Sequence, residues 1–209
     1  LLILQEANVA TKQTIAVIGA TGNMGSAISK SLSKGNYKLL LYANTPGQMQ
    51  SLVQEIITAN PSADVEAIDC SVNASWEADI IITDIPYRTE KEVAEKIRAV
   101  SNQKIVISIT NALHDTNKEL ITNPGISAAE EMQQLLPNSK VIKVFNTSFA
   151  HGISSQSTES NKTVTLLAGN DEAALQTVFG LFSIADFNPV IAGGLTVSRA
   201  LENMQPSLN

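Results

Sequence analysis

Three evenly spaced glycines, Gly19, Gly22 and Gly25, lie in IAVIGATGNMGSAISKSL, residues 15–32, between an apolar run and a helical pattern. A phosphate can approach a backbone closely only where side chains are absent, and a helix N-terminus adds N–H donors and a positive dipole end. Gly19 is expected to make the tight turn, Gly22 to admit a pyrophosphate, and Gly25 to let the helix pack on the strand. The spacing is G-x-x-G-x-x-G rather than G-x-G-x-x-G, and glycine-rich turns also serve structural roles. Position decides: the loop follows a clean strand and opens a helix in the first βα unit, which points to a bound dinucleotide.

About 20 residues further on, an acid would grip the ribose of NAD and a basic residue the 2′-phosphate of NADP. Here the chain reads LLLYANTPGQMQSL, with Ala43, Asn44 and Thr45 at that point and neither an acid nor an arginine. Thr45 before Pro46 reads as an N-cap and first helical position, so a second helix N-terminus is aimed at the adenosine ribose. Backbone donors with Asn44 and Thr45 suit a phosphate, which favours NADP and leaves NAD open. The alternative is that Asn44, Thr45 and Pro46 form only a cap and a turn.

Other reactive residues are sparse. His114 and His151 each start a polar loop after a strand and read as solvated, the alternative being a proton relay or a contact to a substrate anion; they have no companions at metal-ligand spacing, so no metal site is expected. Tyr87 and Lys91 have the four-residue spacing of the short-chain reductases' acid and its partner, but they follow the fourth strand instead of riding the long helix after the fifth. No triad stands out, and no catalytic residue is assigned.

The elements that position these residues are legible as short apolar runs at 15–18, 38–42, 65–68, 80–83, 105–109, 140–144 and 163–167, nearly continuous as in strands buried on both faces. Helical patterns fall between them at 24–34, 46–59, 90–100, 128–136 and 172–182. Strand and helix alternate, so the fold class is α/β, a doubly wound, mainly parallel sheet of the NAD(P)-binding Rossmann type. Residues 1–14 read as an N-terminal extension and 15–209 as a single domain, a size that buries one core.

Twenty Asp+Glu against 14 Lys+Arg give a net charge of −6, which repels phosphate backbones and argues against a nucleic-acid partner. Cys70 is the only cysteine, so no intrachain disulfide forms and a reducing, cytoplasmic setting fits. No run approaches the roughly 20 apolar residues of a membrane span. The chain starts at Leu1 without a methionine, which leaves open what precedes it. Leu201 and Met204 share a helical face near the end, on which a homodimer could form.

Several stretches together carry a family resemblance. IGATGNMG, DIPY at 84–87, ISITNAL at 107–113, SAAEEMQQLLPNSKVIKVFNTSFA at 127–150 and the closing residues 168–202 resemble the NADP oxidoreductases typified by the coenzyme F420-dependent, 5-deazaflavin enzyme. The likeness covers nearly the whole chain after Thr14, and the cytosolic domain of the six-transmembrane ferric reductases is similar in plan. The resemblance implies that Gly19, Thr21, Gly22, Asn23 and Met24 form the pyrophosphate loop and that Ile85 and Pro86 flank the cofactor. It further implies that Asn111 and Ala112 follow the fifth strand beside it, and that Asn146, Thr147 and Ser148 turn beside the nicotinamide. Where that family ends its second strand in a Ser-Arg type pair, this chain has Ala43 and Asn44.

The function so implied is hydride transfer between a nicotinamide cofactor, NADP favoured, and a planar small-molecule redox acceptor such as a flavin or deazaflavin, the candidate co-substrate. Such transfer needs positioning and water exclusion rather than an acid or base. Two other classes stay in view: a short-chain reductase of a small carbonyl compound, and a non-catalytic dinucleotide sensor. A hydroxyacid dehydrogenase is disfavoured, because too little sequence follows Leu167 for its helical domain.

Overall fold

The computed structural model describes residues 12–110, 112, 122, 125–146 and 164–204. They form one eight-stranded sheet in the order β3-β2-β1-β4-β5-β6-β7-β8. The strands are β1 (Gln13–Ile18), β2 (Tyr37–Tyr42), β3 (Asp64–Ala67), β4 (Ile80–Thr83), β5 (Ile105–Ser108), β6 (Lys140–Asn146), β7 (Val164–Gly169) and β8 (Asn188–Gly193). The helices are α1 (Asn23–Leu32), α2 (Pro46–Ala59), α3 (Ser71–Glu77), α4 (Tyr87–Ile97), α5 (Ala128–Leu135), α6 (Glu172–Ile184) and α7 (Ser198–Met204), with a 3-10 turn at Leu195–Val197. All pairings are parallel except β6 with β7, so the doubly wound, mainly parallel expectation holds.

Alternate residues of the central strands feed two apolar layers, because a strand's side chains point to opposite faces in turn. Ile15, Val17, Leu39, Leu41, Ile80 and Ile82 pack against Ile28 and Leu32 of α1, Leu52 and Ile56 of α2, and Val178 and Phe182 of α6. Ala16, Ile18, Leu40 and Ile81 face Ala74 of α3, Ala94 and Ile97 of α4, and Ala129 and Met132 of α5. Burial on both faces is what the unbroken apolar runs required.

Differences are local. Helix α4 starts at Tyr87, three residues earlier than its apolar stripe, because Pro86 occupies the N-cap position. The short α3 carries no long apolar stripe and was not visible in the pattern, and β8 lies past the last run that reads as a strand. No helix among the described residues is long and apolar enough to cross a membrane.

Candidate functional site

The reversal of strand order falls between β1, which leads to β2 on one side, and β4 on the other. In open α/β sheets the crevice beyond the strand ends at such a point is where ligands bind. A cavity of about 340 Å³ opens there, and it gathers Gly19, Thr21 and Gly22 after β1, Asn44 and Thr45 after β2, and Ile85 and Pro86 after β4. Residues from three separate turns are thus brought to one place.

The first turn is shaped by its glycines. Gly19 has φ of +91°, and a Cβ there would run into the Asp84 carbonyl. A Cβ on Gly25 would strike the Gly19 carbonyl oxygen, so this glycine sets how closely α1 lies on the turn. At Gly22 the expected empty space is edged by protein: a Cβ would lie 2.7 Å from Asp84 Oδ2. The Gly19 and Ala20 N–H groups donate to the Tyr42 carbonyl at 2.8 and 3.0 Å, Gly22 N–H to Gly19 O, and Gly25 N–H to Asp84 Oδ2 at 2.6 Å. None of these bonds uses the N–H of Thr21 or Asn23, the donors at the mouth of the helix. Met24 is buried against the core of this layer.

Thr45 sits at the N-cap of α2 with Pro46 behind it, yet its hydroxyl makes no cap bond and instead lies 3.1 Å from the Thr21 hydroxyl. Asn44 Oδ1 accepts the Tyr42 hydroxyl at 2.8 Å, so the amide N–H₂ is what Asn44 has to offer a ligand. Neither α1 nor α2 carries an acidic residue in its first turn. A cradle of glycines at one helix end, with a second acid-free helix end beside it, fits the two phosphate-bearing parts of a dinucleotide.

The other half of the sheet is built differently. Lys143, in the middle of β6, is completely buried, and its ammonium donates to the carbonyl of Thr110. It also stands 3.3 Å from Oε1 of the equally buried Glu202 on α7. Glu202 in turn accepts the Ala128 and Ala129 N–H groups at the head of α5, at 3.0 and 3.4 Å. Glu90 on α4 lies beside this pair; burial pushes its carboxyl up to about 7, against the pull of Thr110 and Lys143. The network holds the backbone where the chain turns from β5 toward Ala112, itself fully buried. Sequence reading missed Asp84, Lys143 and Glu202. A lysine inside the apolar run KVIKVF was the one local signal for the pair.

Asn111, Thr147, Ser148, His114 and His151 lie outside the described residues, as does the side chain of Asn146, which ends β6. Tyr87 and Lys91 stand apart from the cleft chemistry: the Tyr87 hydroxyl donates to Glu131, and burial with that partner pushes its ionisation up, opposite to what a proton donor of the short-chain type needs. Lys91 is exposed. No cluster of three or more His, Cys, Asp or Glu able to hold a metal occurs among the described residues.

A family model described as NADP oxidoreductase coenzyme F420-dependent matches residues 14–112. An F420-dependent NADP reductase of Methanocaldococcus jannaschii is 27% identical over 203 residues, covering 93% of this chain and 90% of that protein. Among solved structures, a hypothetical protein of Sinorhizobium meliloti is 26% identical with a TM-score of 0.74, covering 89% of this chain and 87% of its own. A candidate F420-dependent NADP-reductase of Arthrobacter has the same TM-score at 20% identity, covering 93% and 91%, and at that identity speaks for the fold alone. The motif resemblance and the Rossmann-type fold are both borne out.

Proposed function

We propose, from the match of residues 14–112 to the family model described as NADP oxidoreductase coenzyme F420-dependent, that the chain is an NADP-dependent oxidoreductase passing a hydride between nicotinamide and a planar acceptor of the flavin or deazaflavin type. The bound nicotinamide supplies the hydride chemistry; the protein's part is binding, orientation and exclusion of water. Gly19, Thr21, Gly22, Asn23, Met24 and Gly25 shape the pyrophosphate seat, with the Thr21 and Asn23 N–H groups as its donors. Asn44 and Thr45 receive the 2′-phosphate through the Asn44 amide, the Thr45 hydroxyl and the head of α2. Ile85 and Pro86 give an apolar wall on the β4 side, while Asn111, Ala112, Asn146 and Thr147 border the nicotinamide. The chain from β1 onward acts as one domain, which takes in Gln13 and Thr14 of the expected extension 1–14.

The observation that carries this reading is the convergence of the three turns on one cavity bordered by two helix ends without first-turn acids. It is tested by titrating NADPH and NADH, then following NADPH oxidation with coenzyme F420, flavins, quinones and ferric chelates. Turnover with a flavin or deazaflavin is expected; tight binding without turnover on any acceptor would leave a sensor. In the same assay Asn44→Arg is expected to favour NADPH by about tenfold over the wild type, since a guanidinium pairs bidentately with phosphate. An unchanged ratio would place the 2′-phosphate elsewhere.

A further inference from the structure

The negative charge at the head of α1 comes from another element. Asp84 leaves the turn after β4, reaches α1 and accepts the Gly25 N–H at 2.6 Å. The same Oδ2 edges the space over Gly22, and Asp84 borders the cavity that holds Thr21 and Asn44. A carboxylate and an arriving pyrophosphate therefore share one helix end. Two like charges brought together in a partly desolvated cleft do not both stay ionised when one can take a proton.

We propose that a dinucleotide binds here with uptake of a proton at Asp84, so that this residue sets how affinity depends on pH. The inference rests on the dinucleotide reading above and adds the coupling. Burial already holds the Asp84 carboxyl above the ordinary carboxylate range, with the Gly25 N–H pulling the other way. Around it, α4 contributes Glu92 and Lys96, exposed and bound to each other at 2.7 Å. Strand β2 contributes Tyr42, whose hydroxyl is engaged by Asn44. The sign follows from linkage: the bound anion raises the Asp84 pKa further, so affinity falls as pH rises between the free and bound values and a proton is taken up within that interval.

The test is calorimetric titration of the wild type and Asp84→Asn with NADPH and NADH, in two buffers of different ionisation enthalpy, from roughly pH 4, near the ordinary carboxylate value, to roughly pH 8.5. The asparagine keeps an oxygen for the Gly25 N–H and loses the charge. The 2′-phosphate of NADPH has its own titration near about pH 6, but it is common to both proteins and absent from NADH. The wild type should lose affinity for both ligands with rising pH and take up protons. Asp84→Asn should bind NADH with a flat profile and, at about pH 8, about tenfold tighter than the wild type. Without any variant, the Asp84 carboxyl followed by NMR should shift its midpoint upward when NADH is added. A pH slope that persists in Asp84→Asn, a flat wild-type profile for NADH, or an unmoved carboxyl midpoint would overturn the coupling. No binding by either protein at any pH would remove the dinucleotide reading itself.

Discussion

The head of α5 and the heads of α1 and α2 meet the same electrostatic demand in opposite ways. At α5, Ser127 and Glu130 form a reciprocal capping box, and Glu202 comes in from α7 to take the N–H groups of Ala128 and Ala129. Lys143 then neutralises Glu202 inside the core. At α2 the cap residue turns its hydroxyl to Thr21, no acid occupies the first turn, and a Cβ at Gly47 would meet nothing within 4 Å. At α1 a single carboxylate from the turn after β4 takes the third N–H and leaves the mouth of the helix to a ligand. A helix end supplied with its own anions is architecture, whereas one that lacks them beside a cavity is a place for a phosphate.

Breaking the completed end should have the largest effect. Glu202→Ala leaves Lys143 buried without its carboxylate and two amides without acceptors, and should cost about 3–5 kcal/mol in denaturant unfolding. A loss under about 1 kcal/mol would mean that the pair is not the anchor described. Glu90 gives the same region a pH signature. Burial lifts its carboxyl to about 7, above the ordinary 4.5 of a free glutamate, so its contribution to stability is complete below the unfolded value and disappears as pH rises through the folded one. Between those limits the wild type should lose on the order of 3 kcal/mol relative to Glu90→Gln. Parallel stability profiles for the two proteins would contradict the burial of that carboxyl.

The open end is sharpened by Gly22→Val, which drives a branched side chain into Asp84 and over the phosphate seat. NADPH affinity should fall by roughly 100-fold or more, while binding at wild-type strength would remove this turn from the site. The smallest effect separates two caps. Ser127→Ala should cost about 1 kcal/mol, whereas Thr45→Ala, whose hydroxyl makes no cap bond, should cost only about a few tenths. Equal losses in thermal unfolding would erase the distinction between the two helix ends.

What the sequence carries well is what depends on neighbours. The strands at residues 15–18, 38–42 and 80–83 announce themselves because burial on both faces demands unbroken apolar runs, and the Gly19 turn because its backbone tolerates no side chain. Glu202 and Ala128 are 74 positions apart, and Asp84 and Gly25 are 59 apart, so no local pattern links them. The cap at Thr45 was legible as a position, but not the hydroxyl's choice of Thr21 over its own helix. Lys143 could be noticed as a charge inside a strand; its partners could not.

Amide hydrogen exchange with and without NADPH puts the central contrast to the test in one measurement. Slowed exchange is expected in segments covering residues 19–25 and 44–48, with no change at residues 127–132. Protection confined to residues 127–132, or absent from both helix ends at saturating NADPH, would contradict it.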